Sequence, residues 1–325
     1  MAELRAGWVS PPGVGEVQVR ALASAISHGT EMLVYRGHIP ADMPLDLPTL
    51  AGSYAFPIKY GYAIVGRVVA VGPGVTAWAV GELVFALHPH QAVFNAPTHL
   101  LARLPPDLDP ELGVFCANVE TALNIAHDTP IRLGETAVLF GQGVVGALAA
   151  QTLRLAGAGR VFTVDPLPAR RELALRLGAD AAFAPGDDLP ARVRAANNGR
   201  LADVALEVSG SPLALQTAIE CVMDEGTVVV ASWYGTKPVT LELGGRFHRG
   251  RLTLRSSQVG RLNPALGPRW DYARRLETAA AMLLRLRLHE LITHRFPLAN
   301  APLAYDLVDK RPGECGQVVL VYDEP

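Results

Sequence analysis

The most constraining feature of this chain is the hexapeptide Gly141-Gln142-Gly143-Val144-Val145-Gly146, read together with what flanks it. A strand-like apolar run, Thr136–Phe140, stops at the first glycine, and apolar positions at Val145, Leu148, Ala149, Thr152 and Ala156 start a helix inside the motif. In such a turn Gly141 permits the tight bend, Gly143 lets a pyrophosphate approach the backbone, and Gly146 lets the helix pack on the strand. The positive end of the helix then faces the phosphates. Asp165 ends the next strand, 19 residues after Gly146, where a carboxylate can accept both ribose hydroxyls. A dinucleotide site follows. Asp165 repels a 2′-phosphate, which favours NAD, while Arg170 on the following helix could neutralise one and keeps NADP open. The candidate cofactor contacts are Gly141, Gln142, Gly143, Val144, Val145, Gly146, Asp165, Arg170 and Ser209.

Around this motif the chain changes style. Between Glu16 and Arg103, Val-rich runs such as Val17–Leu22 and Ala63–Val71 alternate with turns at Gly72-Pro73-Gly74 and Gly81-Glu82, as in an all-β, barrel-like unit. From Thr136 to Arg255 the runs Thr136–Phe140, Val161–Asp165, Asp203–Val208 and Thr227–Ser232 read as buried parallel strands, separated by helices at Val144–Ala156, Pro168–Leu177 and Pro212–Val222. That is a doubly wound α/β domain. A long helix is expected over Arg269–Leu288, then a strand Ile292–Phe296, a helix Ala301–Lys310 and a strand Gln317–Tyr322, which could return to the first unit. The expected division is 1–117, 118–258 and a returning 259–325.

Composition limits the function. The 325 residues, 50% apolar and 18% charged, suit a folded chain of about two domains at ~100–200 residues each. A formal charge of −2 gives nucleic acid no electrostatic footprint. No signal peptide or spanning segment is legible, so a cytoplasmic protein without a membrane partner is expected. Cys116, Cys221 and Cys315 form neither a disulfide framework nor a metal knuckle.

Several segments resemble the medium-chain dehydrogenase/reductases of the alcohol dehydrogenase type. They are Pro57–Gly72, Gly81–Phe85, the glycine motif, Leu177-Gly178-Ala179-Asp180 and Leu291–Leu298. Ser27-His28-Gly29-Thr30-Glu31, His88-Pro89-His90-Gln91 and Glu120–Asn124 look most like the branch that contains bacteriochlorophyllide a dehydrogenase. The resemblance implies a GroES-like β-barrel catalytic domain with a Rossmann domain, a small-molecule substrate, and a homodimer or homotetramer joined through the sheet edge at Leu252–Arg255.

Zinc members of the family bind their catalytic metal through a cysteine, a Gly-His-Glu and a third ligand ahead of the nucleotide domain. The matching positions here are Ser27, Gly61-Tyr62-Ala63 and Cys116, so no zinc is expected. An alternative ligand set would come from His28, Glu31, His88, His90, Cys116 and Glu120. Without a metal, the resemblance leaves Ser27, His28, Thr30, Glu31 and Tyr62 as the catalytic candidates. All but His28 also have a structural reading: a turn hydroxyl for Ser27 and Thr30, a surface ion pair for Glu31, a core aromatic for Tyr62. His88 and His90, in a proline-containing loop, are expected at the surface, and Cys116 as a small buried hydrophobe. The expected activity is zinc-independent, NAD-linked hydride transfer between an alcohol and its carbonyl. The alternatives are quinone or enone reduction, and nucleotide binding without turnover.

Overall fold

The computed structural model describes residues 2–45, 52–235 and 237–323. The chain divides into two compact units, Met1–Ala117 with Leu276–Pro325, and Asn118–Arg275. In chain order the elements are β1 (Glu16–Ile26), α1 (Thr30–Tyr35), β2 (Ile64–Val71), β3 (Leu83–Ala86), β4 (Val93–Pro97), β5 (Leu101–Arg103), α2 (Pro110–Gly113) and α3 (Cys116–Asp128). There follow β6 (Thr136–Phe140), α4 (Val144–Leu155), β7 (Arg160–Val164), α5 (Pro168–Arg176), β8 (Ala181–Phe183), α6 (Leu189–Ala196), β9 (Ala202–Glu207), α7 (Pro212–Cys221), β10 (Val222–Val230) and β11 (Thr253–Ser256). Last come α8 (Tyr272–Met282), β12 (Ile292–Pro297), α9 (Ala301–Lys310) and β13 (Gln317–Val321).

The first unit is built on a seven-stranded sheet of order β12-β13-β1-β2-β3-β5, with β4 also pairing β1. β1 alternates half-buried or exposed with buried side chains along its first half, the signature of a strand with one face in the core. Val17, Val19, Val68, Phe94 and Leu320 fill that core. The returning strand β13 lies antiparallel on β1, with Ala23 opposite Val321, so a segment from the far end of the chain completes the same layer.

The second unit is a parallel sheet of order β11-β10-β9-β6-β7-β8. All five residues of β6 are buried, as a central parallel strand covered on both faces requires. The chain reverses its winding between β6 and β9, which creates a crevice at the carboxyl ends of these two strands, where the glycine motif stands. β11 pairs only with β10 among the described residues and so leaves a sheet edge.

The structure corrects two expectations. The helix expected over Arg269–Leu288 is only α8, Tyr272–Met282. Gly267 at φ +54 and Pro268 interrupt it upstream, and bonds from Leu283 N–H to Ala280 and Arg285 N–H to Met282 tighten the chain into turns downstream. Residues 259–275, expected with the returning segment, group with the second unit. The buried Arg275 holds them there by donating to Glu120 at 2.9 Å, Asn124 Oδ1 at 2.6 Å and the Val259 carbonyl at 2.7 Å. Strand β8 and helix α6 were not anticipated, because three and eight residues are too few to show a hydrophobic period. Among the described residues no helix is long and apolar enough to cross a membrane.

Candidate functional site

In the second unit the glycines do three different jobs. Gly141 has φ +101, and a Cβ there would lie 2.9 Å from the Ser209 backbone. A Cβ on Gly146 would lie 2.0 Å from the Gly141 carbonyl oxygen and 3.1 Å from Val208 Cγ2, so helix and strand meet without room for a methyl group. A Cβ on Gly143 would meet nothing within 4 Å. Gly143 therefore borders open space at the start of α4, whose first turn has neither a side-chain cap nor an acidic residue. Uncapped N–H groups of Val144 and Val145 at a helix N-terminus favour an anion.

Asp165, 2% exposed, is more committed than the sequence suggested. Its Oδ2 accepts the Gln142 N–H at 2.8 Å and its Oδ1 the Leu167 N–H at 2.9 Å. A carboxylate has about four lone-pair sites, so these two bonds leave it capacity for further donors. Arg170 Nη1, in the first turn of α5, stands 3.8 Å from Oδ2 and forms an ion pair with it. The Gln142 side chain donates to the Gly141 carbonyl at 2.8 Å, while its buried Oε1 has no partner.

Glu207, at the end of β9, was not anticipated. It is fully buried, and its Oε1 accepts Ser209 N–H and Oγ–H at 2.6 Å each and Gly210 N–H at 2.9 Å. Its Oε2 accepts the Tyr234 hydroxyl at 2.7 Å. Ser209, exposed at the surface, is thereby fixed against the back of Gly141. The visible signal was a carboxylate closing the apolar run Val204–Leu206.

In the first unit, Glu31 is the hub of a buried network rather than a partner in a surface ion pair. It is 1% exposed. Its Oε2 accepts the Ser27 N–H at 2.9 Å, and its Oε1 accepts His90 Nε2–H at 2.8 Å and the Tyr305 hydroxyl. His90 Nδ1 lies 2.7 Å from Ser24 Oγ, which is 2.8 Å from the Tyr322 hydroxyl. The two loop histidines are not at the surface: the His90 side chain is 7% exposed, and His88 is buried, stacked on Phe94 at 4.0 Å, with its Nδ1–H donating to the Pro89 carbonyl at 2.9 Å. Burial pushes the His88 imidazole down to about 4.

Tyr62 bonds to the Ser27 side chain. Burial pushes its phenol up to about 12, a rise opposed by that bond and reinforced by the Glu31 charge. Tyr62 is thus a neutral donor at ordinary pH. The structure brings Ser27, Glu31 and Tyr62 together, and places His28 and Thr30 half-buried on the same loop, with Thr30 opening α1. Tyr305, raised well above the ordinary phenol range by burial and by Glu31, is likewise a neutral donor.

With this geometry in view, both units match known families. Residues 13–100 match the Alcohol dehydrogenase GroES-like domain, and residues 144–275 the Zinc-binding dehydrogenase family. D-guloside 3-dehydrogenase of Shigella flexneri is 29% identical over 318 residues, covering 91% of this chain and 90% of the relative. The fold is that of 2R,3R-butanediol dehydrogenase from Bacillus subtilis, with a TM-score of 0.80 at 22% identity over 99% of this chain and 96% of that one. Two further structures of this fold, each covering 95% of this chain and 93% of their own at a TM-score of 0.76, hold a nicotinamide dinucleotide. One, from Escherichia coli CFT073 and 20% identical, carries NADH; the other, from Sinorhizobium meliloti 1021 and 22% identical, carries NADP. The chain belongs to the zinc-type, alcohol dehydrogenase-like medium-chain superfamily. It is an oxidoreductase of the alcohol dehydrogenase family.

The residues present do not fit the family's zinc. A zinc site needs three or four converging thiolate, imidazole or carboxylate ligands, and among the described residues no three His, Cys, Asp or Glu side chains converge. Glu31 and His90 form a pair, but hydrogen-bond donors already occupy both oxygens of the carboxylate. Cys116 is fully buried. A dinucleotide, by contrast, fits the open cradle at Gly143.

Proposed function

We propose that this protein is a zinc-independent, NAD-linked dehydrogenase that interconverts a small alcohol and its carbonyl. In this reading the second unit binds the dinucleotide through the Gly141–Gly146 turn, Asp165 and Ser209, with Arg170 and the Asp165 backbone loop beside the ribose. When bound, the cofactor supplies or takes the hydride. The first unit handles the proton: Tyr62, kept neutral by burial, donates a hydrogen bond to the substrate oxygen, the Ser27–Glu31 loop aligns Tyr62, and Glu31 exchanges the proton.

The observation that carries the reading is the pairing of an open phosphate cradle at Gly143 with a Glu31 carboxylate held by three donors and no metal-ligand set around it among the described residues. The relatives named above are a guloside and a butanediol dehydrogenase, which supports a polar, hydroxylated substrate class. The likeness of three short segments to the bacteriochlorophyllide branch agrees with the missing metal ligands but does not identify a substrate. Pairing of the open β11 edge across a two-fold axis would give a homodimer, and light scattering at micromolar concentration that returned a monomer would exclude it.

The decisive experiment is elemental analysis with NADH turnover on a panel of ketones and aldehydes, before and after chelation. Well under one zinc per chain with activity unchanged by chelator is expected. Stoichiometric zinc, or activity lost to chelation and restored by zinc, would refute the metal-free reading. Turnover confined to quinones or enones would move the chain to the reductase class.

A further inference from the structure

The Glu31 network does not stop at His90. We infer that Glu31, His90, Ser24 and Tyr322 form a buried proton relay running from the proposed substrate side of the first unit to a cavity on its surface. This inference rests on the proposed role of Glu31 in proton exchange.

The relay's polarity follows from its Glu31 end. At one end the Glu31 carboxylate can only accept, so the His90 hydrogen sits on Nε2 and Nδ1 is the acceptor. With Nδ1 the acceptor, the single Ser24 hydroxyl hydrogen points to it, and Ser24 Oγ then accepts from the Tyr322 hydroxyl, whose oxygen also bonds the Gln91 backbone N–H. The three bonds are 2.8, 2.7 and 2.8 Å, and every donor is matched to an acceptor in one direction. Tyr322 lines a cavity of about 350 Å³ at whose rim stand the exposed Arg20 and Asp323. This arrangement is not a nucleophile triad, because Ser24 is fully buried and its oxygen already lies between Tyr322 and His90.

In carbonyl reduction the alkoxide oxygen gains one proton. The Glu31 carboxylate takes a proton from His90 Nε2 and passes it to that oxygen. Nδ1 then takes the Ser24 proton, Ser24 takes that of Tyr322, and Tyr322 takes one from solvent in the cavity. One proton enters and one is delivered, and alcohol oxidation runs the chain backwards. Each passage inverts the bonds, so the hydroxyls and the imidazole must turn before the next proton. Gly61 leaves that ring its space, since a Cβ there would lie 2.7 Å from His90 Cδ2. The groups facing His90 are Glu31 from α1, Tyr305 from α9 with its ring 6.3 Å away, Ser24 from β1, Tyr322 just past β13, and His88 on its own loop. None of His90, Ser24 and Tyr322 touches substrate in this scheme: they are positioning residues acting through Glu31.

Two measurements test the relay. The first needs no substrate: in protein carrying 15N-histidine, exchange of the His90 Nε2 proton with solvent is followed by NMR. Ser24→Ala and Tyr322→Phe, each of which cuts the chain beyond His90, should slow that exchange by roughly tenfold or more, since loss of a positioned proton-transfer group typically costs 10²–10⁴-fold. Exchange unchanged in both variants overturns the relay. The second uses turnover, where the same variants should lower kcat and raise the solvent isotope effect while leaving the NADH Kd and KM in place. If Glu31→Gln reduces kcat but the two outer variants leave kcat and isotope effect at wild-type values, the relay fails and the proposed function stands. If Glu31→Gln turns over normally, the role proposed for Glu31 fails, and the exchange measurement alone decides whether the hydrogen-bonded chain conducts.

Discussion

Asp165 Oδ2 accepts the Gln142 backbone N–H at 2.8 Å, so the residue proposed to read the cofactor's ribose also holds the turn proposed to cradle its phosphates. Both functions would fail together on removal of the carboxylate. In the proposed cofactor site the same charge would govern the choice between NADH and NADPH, because a 2′-phosphate would meet a buried anion that Arg170, 3.8 Å away, only partly offsets.

NADH should therefore bind at least about tenfold more tightly than NADPH, or ~1.4 kcal/mol. Asp165→Ser should narrow the ratio mainly by weakening NADH, and Arg170→Ala should widen it. Titration of cofactor fluorescence measures both constants. Equal affinities in the wild type would show that Arg170 or another cation overrides the acid.

Two glycines of one motif should fail in opposite ways. A Cβ at Gly143 meets nothing within 4 Å, so Gly143→Val should fold with a Tm near that of the wild type while losing both dinucleotides. Gly146→Val drives a side chain into the Gly141 carbonyl, 2.0 Å from its Cβ, and should cost stability on the order of 1–3 kcal/mol or more, as overpacking does. Calorimetry beside NADH binding separates the two, and a Gly143→Val protein that still bound NADH would move the cofactor elsewhere.

The contrast between the two units shows what a sequence exposes. The second unit was legible because its site is made of neighbours: strand, turn, helix and acid fall between Thr136 and Asp165, and hydrophobic period marks each element. The first unit's site is assembled from afar. Tyr305 meets Glu31 across 274 residues and Tyr322 meets Ser24 across 298, so no local pattern could announce either. Glu31 itself was visible, but its burial was not. A carboxylate beside a loop histidine reads as surface until the strands that cover it are known. Glu207 escaped for a related reason, since its ligands Ser209, Gly210 and Tyr234 become meaningful only when β9 ends beside Gly141.

His88 should give the stability curve a recognisable acid limb. Its folded value lies near 4 because burial disfavours the charged ring, against 6.5 in the unfolded chain. Below pH 6.5 the unfolded state binds a proton that the folded state refuses. Stability from this residue is therefore complete above pH 6.5, declines as pH falls toward 4, and is flat below, a total of roughly 3 kcal/mol. His88→Phe keeps a ring to stack on Phe94 and leaves the Pro89 carbonyl without its donor, a cost that does not vary with pH. Denaturation midpoints of the two proteins should converge as pH is lowered from 6.5 to 4. Parallel curves would mean that His88 protonates freely in the folded state.

Tyr62 offers the sharpest test of the proton-handling role assigned to the first unit. Its phenol lies near 12, so it cannot act as a base at neutral pH and should contribute only as a hydrogen-bond donor. Tyr62→Phe keeps the ring and removes the hydroxyl that bonds Ser27. If that hydroxyl polarises the substrate oxygen, kcat for a carbonyl should fall by about 10²–10³, the usual loss for one donor at a developing oxyanion. The NADH Kd and the Tm should change little. The pH dependence of the remaining rate should also keep its shape below pH 10, because a group that stays neutral throughout that range adds no inflection to lose. A variant within a few fold of wild type would reduce Tyr62 to a packing residue for Ser27, whereas a large loss accompanied by a vanished inflection near neutral pH would mean that the phenol ionises in the working enzyme.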